Sequence, residues 1–304
     1  MSLVKVTIVT ATTDNAHYIE KALDSVRSAV PIEVEHIIVH DGSDAFTERL
    51  LAKYPNLRVM RGLGRGVTPA YNVALAAATG DFIILLNSDD RMLPGSLDAL
   101  AHASASRPEI EVWTGGARIF EDNKVGERTV RIIDDRATTA LTLSNILDDL
   151  PLMTARFVRR SVYERVGLFD EDYPRSSDRE LMIRVALAGL KEAPLGVRVS
   201  ELRQHSGSST IRSPGSQVPP YLVENIRVAR YYMAQPGISA DVHTAFRRWH
   251  ARETLRKLYY ELRARQLASA GRTLRAACAI DWQWPWHART AISALRLRRR
   301  IGTA

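Results

Sequence analysis

The chain has 304 residues, 45% of them hydrophobic and 25% charged, with a formal net charge of +8. That composition suits a globular protein with room for one large domain and an appendage, or for two modest domains. It excludes a disulfide-built scaffold, because Cys278 stands alone, and a membrane-spanning bundle, because no apolar run approaches the roughly 20 residues that a bilayer requires.

Met1 to Val6 runs straight into a strand pattern, with no basic stretch ahead of a long apolar run, so no cleaved secretory signal is expected. With the lone cysteine, this makes a cytoplasmic, reducing location the expectation. Much of the positive excess lies after Arg247, and such a surface can meet nucleic acid, anionic lipid or phosphorylated small molecules.

In chain order, Val4–Thr10 reads as a β-branched strand that ends in the polar turn Ala11 to Asn15. Helical spacing over His17–Ala29 predicts a helix. Val34–Val39 is a second strand, ending on His40-Asp41-Gly42-Ser43-Asp44. Phe46–Tyr54 reads as helix and Leu57–Met60 as strand. The basic, glycine-rich stretch Arg61 to Gly66 reads as a loop. Pro69–Thr79 is an Ala-rich helix with proline in its first turn, where proline is tolerated.

Phe82–Leu86 is an unbroken apolar run of the kind buried on both faces of a parallel sheet. It stops on Asn87-Ser88-Asp89-Asp90. Adjacent carboxylates at the carboxyl end of a strand suit a divalent cation with oxygen ligands. An Asx turn with Asp90 capping the next helix is the competing reading. Strands alternating with helices at this spacing imply parallel βαβ units. If the three strands are neighbours, Thr12, Asp41 and Asp89 converge on one edge.

Pro94–Ser106 reads as helix, Ile110–Phe120 and Glu127–Ile133 as strands, and Leu143–Leu150 as a short helix. Phe157–Asp170 reads as a strand leading into a helix closed by Gly167. Asp178 stands at or near the start of the helix Arg179–Ala188, where an N-cap is the plain role. Val197–Leu202 is a strand opening on His205. Ser213 to Pro220 reads as a linker. Beyond it the composition turns helical, with helices over Val242–Leu267 and Leu267–Ile280. Trp282, Trp284 and Trp286 then precede the basic amphipathic run Arg289–Arg300.

Together, Arg65 to Asn72, Gly80-Asp81 through Leu86 to Asp90, Tyr163 to Asp170 and Ser177-Asp178 resemble the inverting nucleotide-sugar glycosyltransferases of family 2, of the bacterial exopolysaccharide and colanic-acid type. The resemblance covers Val4 to Ser209. It implies the GT-A fold: α/β, Rossmann-like, with a mostly parallel mixed sheet flanked by helices. A GT-A catalytic domain over 1–213 and an α-helical C-terminal extension over 214–304 are the expected organisation.

The resemblance also implies roles. Asp89 contacts a Mn²⁺ or Mg²⁺ on the donor diphosphate, within Asn87-Ser88-Asp89, and His205 reaches the metal or diphosphate. Thr10, Ala11, Thr12, Asp41, Arg65, Asn72, Asn87 and Ser88 bind the donor, and Asp178 is the general base. Thr13-Asp14 replaces the usual aromatic-Asn pair, and His40 stands where many members carry an Asp. The implied partners are a nucleotide-sugar donor and a saccharide or lipid-linked acceptor.

For the tail, tryptophan beside arginine suits attachment to the inner face of the plasma membrane. A hairpin packed on the catalytic domain, or on a second subunit as a homodimer, is the alternative. A non-catalytic nucleotide- or nucleic-acid-binding module on the same scaffold is the rival to the enzyme.

Overall fold

A computed structural model of the chain describes residues 3–14, 16–134, 139–149, 152–205 and 218–289. Two compact units are present, one of Met1–Asn145 with Leu150–His205, the other of Ile146–Asp149 with Ser206–Ala304.

The first unit is built on a nine-stranded mixed sheet. Its N-terminal part contains β1 (Lys5–Thr12), β2 (Glu33–His40), β3 (Leu57–Arg61) and β4 (Phe82–Leu85). These lie in the order β3-β2-β1-β4, all parallel. Helices α1 (Ile19–Asp24), α2 (Ala45–Leu51) and α3 (Val67–Ala77) connect them. The three strands expected to be neighbours are neighbours, so their carboxyl ends share one edge, and Asp41 N–H donates to Thr12 O at 2.8 Å there. All four residues of β4 are buried, as its apolar run requires.

The other strands turn the sheet mixed. They are β5 (Arg91–Met92), β6 (Val112–Asn123), β7 (Gly126–Ile133), β8 (Arg156–Arg159) and β9 (Glu192–Gln204). β8 runs antiparallel between β4 and β6, β9 runs parallel to β6, and β5 closes on β9. Among the described residues this unit also holds helices α4 (Ser96–Ser106), α6 (Arg160–Val166) and α7 (Ser177–Leu187), while α5 (Leu143–Asp148) begins in the first unit and ends in the second. The main core gathers Val6, Ile8, Phe82, Ile84, Leu97 and Trp113.

Two local expectations change. The helix read over His17–Ala29 ends at Asp24, because the Asp98 carboxylate takes over the chain beyond it. Its Oδ1 accepts from Ser28 Oγ at 2.5 Å and from Ala29 N–H at 2.9 Å, which competes with helical bonding. Asp90 does not cap a helix. The chain passes from it into β5, and α4 starts only at Ser96.

In the second unit, α8 (Pro220–Met233), α9 (Ala240–Arg263) and α10 (Leu267–Ile280) are helical. The sequence reading placed no boundaries on α8, which starts on a proline at its first turn. Tyr232 and Phe246 stack at 4.8 Å between ring centres, joining α8 to α9. The fully buried Glu253 accepts from Arg252, Arg256 and Asn225. Among the described residues no helix is long and apolar enough to cross a membrane. Most of the expected linker and all of the basic run beyond Arg289 lie outside the described residues.

Gly80 marks where β4 meets β1 most tightly. A Cβ there would sit 2.5 Å from Thr7 N, while Gly80 N–H donates to Thr7 Oγ1 at 2.9 Å. Gly80→Ala should therefore lower stability by about 1–3 kcal/mol, the usual cost of overpacking, measured by urea unfolding.

Candidate active site

The turn after β4 is where carboxylates collect. Asn87 spends its side chain on both neighbours, its Oδ1 accepting from the Tyr71 hydroxyl and its Nδ2 donating to Asp90 Oδ2 at 2.7 Å. Asp90 is buried at 4% exposure, and its Oδ1 accepts from the Arg203 N–H at 2.8 Å. Burial, then the neighbouring Asp89 charge, push the Asp90 carboxyl up to about 7, against the hydrogen bonds from Arg203 and Asn87. Asp89 turns the other way. Its side chain is 30% exposed, and its Oδ2 lies 3.0 Å from His205 Nε2.

The end of β9 supplies the rest of this corner. Arg203 and His205 are two apart, hence on one face of an extended chain. Arg203 Nε donates to the Asp89 carbonyl at 3.0 Å, and its guanidinium lies 4.4 Å from the Tyr18 ring centre. The His205 ring packs 5.3 Å from the same tyrosine.

Helix α3 links this corner to Asp178. The Thr68 and Ser177 hydroxyls are 3.1 Å apart, and one turn further along α3 Tyr71 reaches Asn87. Burial first, and then the charges of Asp90, Asp89 and Asp178, push the Tyr71 hydroxyl well above the ordinary phenol range. One hydroxyl thus lies in the field of all three carboxylates.

Asp178 is the second residue of α7, which Ser176 precedes as N-cap. Its Oδ1 accepts from Arg179 N–H at 2.7 Å. The side chain is exposed, next to the buried Ser176 and Ser177. That setting raises its pKa by desolvation, while the Arg179 charge and backbone N–H groups pull it back.

The remaining expected residues divide by what they touch. The Asp41 carboxylate accepts from Gly64 N–H and Gly66 N–H, both at 2.7 Å, and so shapes the loop before α3. Gly62 leaves room for it, since a Cβ there would sit 2.2 Å from Asp41 Oδ1. Thr10 is buried and bonds His36 Nε2 at 3.0 Å, away from the edge, while Ala11 and Thr12 end β1 beside Asp41. Arg65 pairs with Glu171 at 2.7 Å. Asn72 clasps the Phe169 backbone, donating to its carbonyl at 3.0 Å and accepting from its N–H at 2.9 Å. Ser88 is half-buried between Asn87 and Asp89.

Three residues of the corner escaped the sequence reading of the site: Tyr18, Tyr71 and Arg203; Asp90, read there as one of a cation-binding pair, is instead turned inward. Tyr71 had a usable signal, one helical turn beyond Thr68 on a helix aimed at the Asp pair. Arg203 shares its strand face with His205, which is a weaker one.

Comparison with known proteins bears on this geometry. The model of glycosyl transferase family 2 matches residues 7–167, more than half of the chain. The succinoglycan biosynthesis protein ExoO of Rhizobium meliloti is 26% identical over 293 residues, 89% of this chain and 81% of that protein. The O-antigen biosynthesis protein RfbC of Myxococcus xanthus is 26% identical over 238 residues, 74% of this chain but 18% of that protein. The present chain thus spans a small part of that larger relative. Among solved structures, residues 1–349 of S. aureus TarS in complex with UDP align with a TM-score of 0.60 at 19% identity, covering 81% of this chain and 70% of that one. The Pyrobaculum calidifontis mannosyltransferase PcManGT, in complex with GDP-Man and Mn²⁺, aligns with a TM-score of 0.51 at 18% identity, covering 100% of this chain and 81% of that one. At those identities the structural likenesses establish the fold.

Tyr71→Phe keeps the ring against Phe169 but removes the hydroxyl from Asn87. We expect about 1–2 kcal/mol lost by thermal or urea unfolding, the cost of a part-buried acceptor left without its donor.

Proposed function

Because the chain belongs to glycosyl transferase family 2 and is a glycosyltransferase, we propose that it moves a sugar from a nucleoside-diphosphate donor to a hydroxyl of a saccharide or lipid-linked acceptor, with inversion. The observation that carries this reading is the pair of ties from α3, Thr68 to Ser177 and Tyr71 to Asn87. Through them the Asp89–His205 pair and Asp178 become two poles of one site.

Inverting transfer is a single displacement at the anomeric carbon. The acceptor hydroxyl attacks one face as the nucleoside diphosphate leaves from the other. The hydroxyl must lose its proton, and Asp178, solvent-open with a raised pKa, is the base that takes it. Asp89 and His205 fit a Mn²⁺ or Mg²⁺, because a carboxylate oxygen and a ring nitrogen 3.0 Å apart can serve one cation in place of a proton. When bound, that cation stabilises negative charge gathering on the departing diphosphate. Arg203 and Asp90 hold the Asp89 turn in place. Asp41, Ala11 and Thr12 form the edge for the donor base. Arg65, released from Glu171, reaches the phosphates. Residues 1–213 carry the chemistry in this reading.

The described end of the second unit supports peripheral attachment to a membrane in the cytoplasm, near a lipid-linked acceptor. Trp284 is buried, its Nε1 3.4 Å from Cys278 Sγ, whereas Trp282 and Trp286 are 77% and 64% exposed. The Arg289 guanidinium lies 5.8 Å from the Trp286 ring. Exposed indoles beside arginines are what an anionic membrane interface takes up.

Asp178→Asn should lower turnover by about 10²–10⁴-fold while donor still binds. Since the base works deprotonated, wild-type kcat/KM should fall as pH drops through the raised Asp178 pKa. That acid limb should lie above the ordinary carboxylate value of about 4, and should vanish from the residual rate of Asp178→Asn. Near-wild-type turnover in that variant would remove Asp178 from the mechanism. Asp89→Ala is the control for the other pole: calorimetry with a nucleoside diphosphate and Mn²⁺ should show metal-dependent binding lost. For the tail, flotation with anionic vesicles should carry the wild-type chain up and leave Trp282→Ser/Trp286→Ser at the bottom. Equal flotation would reject this surface as the anchor.

A further inference from the structure

The turns that flank Asp41 hold a second cluster of metal-ligating groups. His40 closes β2, and its side chain is 3% exposed. Its Nε2 is buried and has no hydrogen-bond partner among the described residues. It faces two carboxylates, Asp14 Oδ1 at 3.8 Å and Asp44 Oδ1 at 3.6 Å. The three ligand atoms lie within 4.8 Å of one another.

Each group is held by contacts other than those to the His40 ring nitrogen. Asp14 Oδ1 accepts from Ser43 N–H at 2.6 Å and Asp44 N–H at 2.9 Å. Asp44 caps α2, its Oδ2 accepting from Thr47 N–H at 3.0 Å. His40 is held in register against Thr12 by the β1–β2 ladder. The two carboxylates are therefore positioned by backbone N–H groups, and the ring nitrogen by the sheet, with no hydrogen bond between ring and carboxylates.

The spacing decides what they converge for. At 3.6 and 3.8 Å the ring nitrogen is too far from either oxygen for a hydrogen bond. Ligands about 2.1 Å from a tetrahedral ion lie roughly 3.4 Å apart, close to what is found. A buried ring nitrogen facing two anionic oxygens asks for a positive charge between them. One imidazole with two carboxylates suits a borderline transition ion better than a wholly oxygen-seeking one. Asp14 is 48% exposed, which leaves an entry path and room for a water as fourth ligand.

We propose that Asp14, His40 and Asp44 form a binding site for a divalent transition-metal ion of the zinc type, separate from the Asp89–His205 pair. The ion joins the turn after β1 to the turn after β2. Both turns border Asp41, so its role is to fix their backbones. The site does not rest on the glycosyl-transfer reading, and a chain inactive in every transfer assay would still bind metal here.

The test uses the full chain stripped by chelation and titrated with Co²⁺, read by the visible absorption of tetrahedral cobalt, and with Zn²⁺, read by thermal unfolding. Asp14→Asn is the key variant, because its amide oxygen still accepts from Ser43 and Asp44 while the charge is gone. His40→Gln removes the ring nitrogen. The expected result is one equivalent of tetrahedral Co²⁺ in wild type and in Asp89→Ala. Affinity should weaken about a hundredfold or more in Asp14→Asn and His40→Gln. In the Asp89→Ala background, where the other metal pair is removed, Zn²⁺ should raise the unfolding temperature, and adding Asp14→Asn or His40→Gln should abolish that rise. Should the cobalt band be missing from wild type, persist undiminished in both cluster variants, or disappear with Asp89→Ala, the proposal is overturned.

Discussion

Two adjacent carboxylates at the end of a buried strand repel each other, and much of the site follows from how the protein separates their fates. Asp90 is folded inward and satisfied by the Arg203 backbone and the Asn87 amide. Asp89 is left facing out toward His205. The inward group bears the desolvation cost, visible as a carboxyl pushed up to about 7. In exchange the turn has one geometry, because a buried acceptor without its donors is expensive. A solvated pair of aspartates would share no such constraint.

The same economy runs through α3. Its start is shaped by Asp41, whose two oxygens bind the Gly64 and Gly66 N–H groups. Its first turns carry Thr68 and Tyr71 to Ser177 and Asn87. Asn72 then clasps the Phe169 backbone. A single helix thus connects the turn at Asp41, the carboxylate corner and the start of α7. Rigid elements hold reacting groups more closely than loops do, and misplacement by about an ångström can cost a hundredfold in rate.

Much of the fold was legible in the chain. The β4 run, bounded by Gly80-Asp81 and Asn87, could be buried only on both faces, and three strands ending in polar turns pointed to one functional edge. The placement of Asp41, Asp89 and His205 at strand ends was legible because each lies within a few residues of one. The overestimate of α1 had a physical cause too: periodicity continues past Asp24, but the distant Asp98 offers those backbone groups another acceptor. Asp90 read equally well as a helix cap because its partner N–H lies 113 residues away.

What the sequence determined by itself is therefore local and periodic. It set which stretches are strands, where they stop, and which chemistry collects at their ends, because turn residues and apolar spacing act over a few positions. The tertiary structure decided orientation: Thr10 inward to His36, Asn72 onto Phe169, Asp90 in and Asp89 out, and His40 between Asp14 and Asp44. Those choices depend on hydrogen bonds and burial between segments far apart in the chain, and no local pattern encodes the direction in which a polar side chain finds its partner.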